Sequence, residues 1–179
     1  MSARRVLVTG GVRSGKSAYA ERLFADQPAV TYVAPGPVPD SAADPEWAAR
    51  IDAHRVRRPA HWTTVETGDV AAALRAAAQP VLIDCLGTWL TRTIDELDGW
   101  NRPRADWEAA WRTATDDLVA AWRDREPLTV AVTNEVGWGV VPAYASGRLF
   151  ADLLGRLNQA VAAAADDVVL LVSGRALHL

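Results

Sequence analysis

Five short apolar runs, at 6–9, 30–34, 81–85, 128–133 and 168–173, punctuate the 179-residue chain. Each is rich in β-branched residues and does not alternate with polar ones, which is how strands covered on both faces of a parallel sheet read. Trp62 to Glu66 is a candidate for one more strand. Between the runs the hydrophobic period lengthens to that of helices, over Ala18 to Phe24, Pro45 to Arg57, Val70 to Ala78 and Ala105 to Arg123, with Pro80 starting the strand after the third. Trp107, Trp111, Leu118 and Trp122 share one face of the longest helix, suited to packing on the sheet or on a neighbouring subunit. The later segment SGRLFADLLGRLNQ aligns Leu149, Leu153 and Leu157 and predicts a further amphipathic helix.

This alternation predicts one α/β domain spanning residues 1–179, with ligands bound outside the carboxyl ends of the strands. Its first strand runs directly into GGVRSGKS, residues Gly10, Gly11, Val12, Arg13, Ser14, Gly15, Lys16 and Ser17, which fits the phosphate-binding loop pattern GxxxxGK[ST]. The glycines let consecutive backbone N–H groups turn toward a polyphosphate, and the following helix points its positive end at the same anion. In that pattern Lys16 reaches the β and γ phosphates and Ser17 holds Mg²⁺. The fold class expected is therefore a P-loop NTPase with a mostly parallel sheet flanked by helices.

Composition narrows the partners. Half the residues are apolar and 23% are charged, the balance of an ordinary globular domain, and the formal charge of −3 offers no general attraction to nucleic acid or to an anionic membrane. No stretch reaches the roughly 18–20 apolar residues of a membrane span. The chain also lacks a signal-peptide pattern, so a cytoplasmic location is expected. Cys85 is the lone cysteine, which excludes an internal disulfide and a cysteine-built zinc site and leaves a small hydrophobe as its simplest role.

Three further constellations carry chemistry. Asp84 closes the run Val81-Leu82-Ile83, where P-loop proteins place the carboxylate that supports Mg²⁺. His54 lies in RIDAHRVRRP among Arg50, Arg55, Arg57 and Arg58; a cationic setting lowers an imidazole pKa and suits attack on phosphate, although a histidine on a solvated basic helix face has the same appearance. His61 and His178 have no comparable surroundings. NEVGWGVVP, residues 134–142, opens at the end of the strand over 128–133 and reads equally as a tight turn or as a substrate-facing loop. Arg148 and Arg156 beyond it are candidate phosphate or subunit contacts, or solvated side chains. Residues 35–45, PGPVPDSAADP, predict an exposed loop beside the phosphate site.

The ordered set GGVRSGKS, RIDAHRVRRPAHW, Glu66, IDCLGTWLT, TNEVGWGVVP and GRLNQ, from Val6 to Ser173, resembles the bifunctional adenosylcobinamide kinase / adenosylcobinamide-phosphate guanylyltransferase family of cobalamin biosynthesis. The resemblance implies a RecA-type P-loop fold, a homotrimer and two reactions. A nucleoside triphosphate, ATP or GTP, phosphorylates the aminopropanol hydroxyl of adenosylcobinamide, and GTP then donates GMP to that phosphate with release of pyrophosphate. It further implies that His54 is the residue guanylylated, that Arg55, Val56, Arg57, Arg58 and Glu66 contact nucleotide, that Asp84 is the carboxylate at the strand end, and that Pro35, Gly36 and Pro37 line the nucleotide. The family usually has hydroxyl residues at these last three positions, a threonine where this chain has Gly87 and an asparagine where it has Arg92. The same P-loop residues without a histidine nucleophile would serve a monofunctional small-molecule kinase, or a nucleotide-dependent switch in which His54 is dispensable.

Overall fold

The computed structural model describes residues 4–36 and 59–179. The predicted helix over 45–57, with His54 and the arginines after it, lies outside these residues, as does Pro37. In chain order the elements are β1 (Arg5–Gly10), α1 (Lys16–Arg22), β2 (Thr31–Ala34), β3 (Thr63–Glu66), α2 (Val70–Ala76), β4 (Val81–Asp84), α3 (Leu86–Glu96), a 3₁₀ turn (Arg104–Asp106), α4 (Glu108–Arg123), β5 (Thr129–Val132), α5 (Ala145–Ala163), β6 (Asp167–Val172) and β7 (Arg175–His178). The described strands form one sheet in the order β3-β2-β4-β5-β1-β6-β7. Every neighbouring pair is parallel except β6 and β7. All five apolar runs are strands, and the sixth candidate is β3 at one edge of the sheet.

Two elements depart from the sequence expectation. Leu86–Glu96 is a helix whose buried positions Leu86, Trp89, Leu90, Thr93 and Ile94 follow a helical period, started by Thr88, whose hydroxyl accepts from the Cys85 N–H at 3.3 Å and donates to the Cys85 carbonyl at 2.8 Å. The chain also adds an antiparallel edge strand after a two-residue turn in which Ser173 and Gly174 both have positive φ, 51° and 80°, as a type I′ hairpin requires.

The sheet separates two apolar layers. One joins Leu7, Val33, Ile83 and Ala131 of the strands to α2, α3, α4 and α5, and contains Trp89, Trp107, Trp111 and Trp122. The other packs Ala20 and Phe24 against Val6, Val8, Tyr32, Leu82, Val130 and Val132. The stripe Trp107, Trp111, Leu118 and Trp122 is therefore an intrachain core, 0–3% exposed, rather than a face left for another subunit. Arg125 staples α4 to α2 from within: its buried guanidinium donates to the carbonyls of Leu74 at 2.9 Å and Gln79 at 2.6 Å, to the carbonyl of Ala77, and to Thr129 Oγ1 at 3.2 Å. Burial lowers its pKa, and these acceptors satisfy the charge.

Candidate nucleotide site

The phosphate loop emerges from the centre of the sheet, where β1 lies between β5 and β6. Gly10 has φ +147°, and a Cβ there would lie 2.4 Å from the Leu171 carbonyl oxygen and 2.9 Å from Ser14 Oγ. Gly15, at φ +96°, leads into α1. These two positions need glycine, one for close approach and one for the turn into the helix. Arg13 also adopts positive φ, 57°, and Val12 projects into solvent. The loop is braced from β6–β7 by Gly174 N–H donating to the Ser14 carbonyl at 2.9 Å.

Within this frame Lys16 is buried, and its Nζ donates to the Gly11 carbonyl at 2.7 Å, a bond that folds the ammonium back over the loop. Burial pushes the Lys16 pKa down, opposed by the nearby Cys85 and Asp84. Ser14 Oγ is a buried hydroxyl with no hydrogen-bond partner among the described residues, the kind of orphan that a phosphate oxygen would satisfy. Ser17, half-buried, occupies the first turn of α1.

Asp84 ends β4, half-buried, and its Oδ2 accepts from the Tyr32 hydroxyl at 3.0 Å. It is level with Val132 of β5, which in turn pairs with Val8 of β1 just before the loop. Among the described residues no three His, Cys, Asp or Glu side chains group into a metal cage. A carboxylate, a serine hydroxyl and phosphate oxygens are instead the hard oxygen donors that suit Mg²⁺ held jointly with a nucleotide. Cys85, the next residue, is free, and burial raises its thiol pKa, which fits a packing role.

Other predicted positions separate. Pro35 is buried and Gly36 half-buried just past β2, and Glu66 is exposed at the end of β3, two strands out from Asp84 in the same parallel set. Arg148 is occupied by the carbonyls of Pro142 at 2.9 Å and Ala143 at 2.6 Å, closing the turn before α5, and Arg156 pairs with Asp152 at 3.4 Å and Glu108 at 3.5 Å. Both arginines therefore serve intrachain roles. Gly87 lies in α3 with Asn134 Nδ2 3.7 Å from the place of a Cβ, so the family's larger residue would meet only ordinary contact there. Arg92 pairs with Glu96 at 2.8 Å.

The segment after β5 lies beside the cradle. Glu135 N–H donates to the Gly10 carbonyl at 3.1 Å, and its Oε1 accepts from Thr9 Oγ1 at 2.8 Å. Asn158 of α5 braces the same segment, accepting from Thr133 Oγ1 at 2.7 Å and donating to the Asn134 carbonyl at 3.1 Å. The loop then exposes Val136, Trp138, Val140, Val141 and Tyr144, with Trp138 70% and Val140 96% exposed. Periodicity and motif spacing do not single out Glu135; its place in NEVGWGVVP, directly after the strand over 128–133, is the available signal.

The family model described as cobinamide kinase / cobinamide phosphate guanyltransferase matches residues 6–179. The chain belongs to this family. It is 44% identical over 177 residues to the bifunctional adenosylcobalamin biosynthesis protein CobU of Salmonella typhimurium, covering 94% of this chain and 96% of that protein. It is 38% identical to the bifunctional adenosylcobalamin biosynthesis protein CobP of Pseudomonas aeruginosa, covering 95% and 94%. Relatives named as bifunctional enzymes favour neither a kinase acting alone nor a switch. A solved structure of an ATPase from the type III secretion system of pathogenic bacteria matches with a TM-score of 0.60 at 8% identity, covering 94% of this chain and 51% of that one, which shows a shared P-loop fold.

Proposed function

We propose that this enzyme phosphorylates the aminopropanol hydroxyl of adenosylcobinamide with ATP or GTP, and then transfers GMP from GTP to the resulting phosphate through a guanylyl-histidine on His54. The family match over residues 6–179 carries the reading. The cradle supports its nucleotide half: Lys16 is held over the loop by its bond to Gly11, Ser14 brings an unpartnered hydroxyl, and the backbone of Gly10 to Ser17 offers N–H donors to phosphate. Mg²⁺ on Ser17 and Asp84 would neutralise developing phosphate charge, while Tyr32 fixes the Asp84 carboxylate.

In the second reaction the His54 imidazole attacks the α phosphorus of GTP, a histidine–phosphorus bond forms, and pyrophosphate leaves. The acceptor phosphate then attacks the same phosphorus and frees the imidazole. Arg55, Val56, Arg57, Arg58 and Glu66 would contact the guanosine nucleotide, and Pro35, Gly36 and Pro37 would line it. The three small or cyclic residues leave backbone groups as the contacts available there. The same reading carries a cytoplasmic homotrimer.

Two product assays test it. With cobinamide and γ-labelled ATP or GTP, labelled cobinamide phosphate is expected; with cobinamide phosphate and α-labelled GTP, labelled cobinamide-GDP is expected. Absence of the second product from an enzyme that makes the first would reduce the function to a kinase.

A further inference from the structure

We propose that Glu135 is the general base of the kinase reaction, a role that rests on the functional reading above. The two reactions make unequal demands. A neutral alcohol must lose its proton as it attacks phosphorus, whereas a phosphate acceptor is already ionised and needs no base. A base is therefore required beside the phosphate loop for the first reaction alone.

Three described carboxylates follow strand ends on this edge of the sheet. Glu66 ends the outermost strand, three strands away from β5. Asp84 is engaged by Tyr32 and, as a ligand of Mg²⁺, would have its lone pairs committed. Glu135 differs from both. It follows β5, which lies between the Asp84 strand and the phosphate-loop strand, and it is tied to the loop's first residues through Thr9 and Gly10. Lys16 Nζ rests on Gly11 while Thr9 holds the Glu135 carboxylate, so the carboxylate and the ammonium that addresses the terminal phosphate are anchored two residues apart on either side of Gly10. Thr9 takes Oε1, and among the described residues no donor binds Oε2. The apolar side chains exposed from Val136 to Tyr144 begin at the next residue, which leaves this side of the cradle open to a large acceptor.

In the step, a Glu135 carboxylate oxygen takes the hydroxyl proton and the alcohol oxygen bonds to the γ phosphorus. The bond from that phosphorus to the β–γ bridging oxygen breaks, and the nucleoside diphosphate leaves with the electron pair. Glu135→Gln is the informative variant, because the amide oxygen still accepts from Thr9 but cannot take a proton. Its kinase kcat should fall by about 100-fold or more, while labelling of the protein by α-labelled GTP stays within about 3-fold of wild type. Thr9→Val, which removes the anchor and keeps the carboxylate, should lose less than about 10-fold of kinase turnover. Kinase turnover retained in Glu135→Gln would overturn the proposal, as would equal loss of labelling or a Thr9→Val loss as large. A wild-type enzyme that labels with GTP yet never phosphorylates cobinamide would instead overturn the functional reading on which the proposal stands.

Discussion

Lys16 concentrates the demands on a single side chain. Its ammonium is buried and rests on the Gly11 carbonyl, so a polyphosphate replaces a neutral acceptor with a charged one without moving the charge far. Lys16→Ala should cost the kinase roughly 100- to 1000-fold in kcat, and it should also weaken guanylylation, since both reactions use a triphosphate. Steady-state rates of the two half-reactions, with circular dichroism to confirm folding, check this. The geometry of the cradle was legible because the loop pattern fixes spacing: Gly10 admits no Cβ beside Leu171, and Ser17 follows Lys16 at the helix start. Arg148 and Arg156 were not legible. Their charge suits a phosphate or a subunit as well as the carbonyls and carboxylates they meet, and partners distant in sequence decide.

Helix α3 shows how an element can hide behind a motif. The segment IDCLGTWLT reads as a strand end carrying Asp84, yet Leu86, Trp89, Leu90, Thr93 and Ile94 recur at helical spacing once Thr88 has closed the first turn on Cys85. Hairpin strand β7 is hidden for another reason: its burial is low throughout, so no periodic signal exists beyond the Ser173-Gly174 turn. The link between α4 and α2 depends on Arg125. Arg125→Ala would leave the buried carbonyl of Leu74 and the partly buried carbonyls of Ala77 and Gln79 without this donor, and should destabilise the fold by about 3 kcal/mol, a fall in Tm of roughly 6–12 °C. Arg125→Lys should recover part of that loss, since a single ammonium cannot reproduce the planar fork. Thermal unfolding of the three proteins measures both effects, and a Tm unchanged in Arg125→Ala would show that the staple contributes nothing.

At the scale of the molecule, the sheet topology was legible in outline because nonalternating apolar runs separated by helices leave few parallel arrangements. The order of its strands was not, because it depends on which crossovers skip a neighbour: β5 enters between β4 and β1. Ion pairs fasten the sheet's flank at Arg5–Asp166 and the 3₁₀ turn before α4 to α5 at Arg104–Asp152. Arg5 and Arg104 hold these two carboxyls below the usual carboxylate range. A carboxyl depressed in the folded state stabilises above its unfolded pKa and loses that contribution as the pH falls through the folded one. Tm should therefore decline on acidification below about pH 4, and Asp166→Asn should flatten the decline; an identical pH profile for that variant would remove the pair from the acid response.

The chemistry proposed for the second reaction turns on His54 and can be read from the protein itself. Intact-mass analysis after incubation with GTP and Mg²⁺, followed by mapping of the modified peptide, should show one guanylyl group per chain on the peptide containing His54, discharged by cobinamide phosphate. The same incubation of His54→Ala should show none. A guanylyl group carried elsewhere, or cobinamide-GDP made at the wild-type rate by His54→Ala, would contradict transfer through this imidazole.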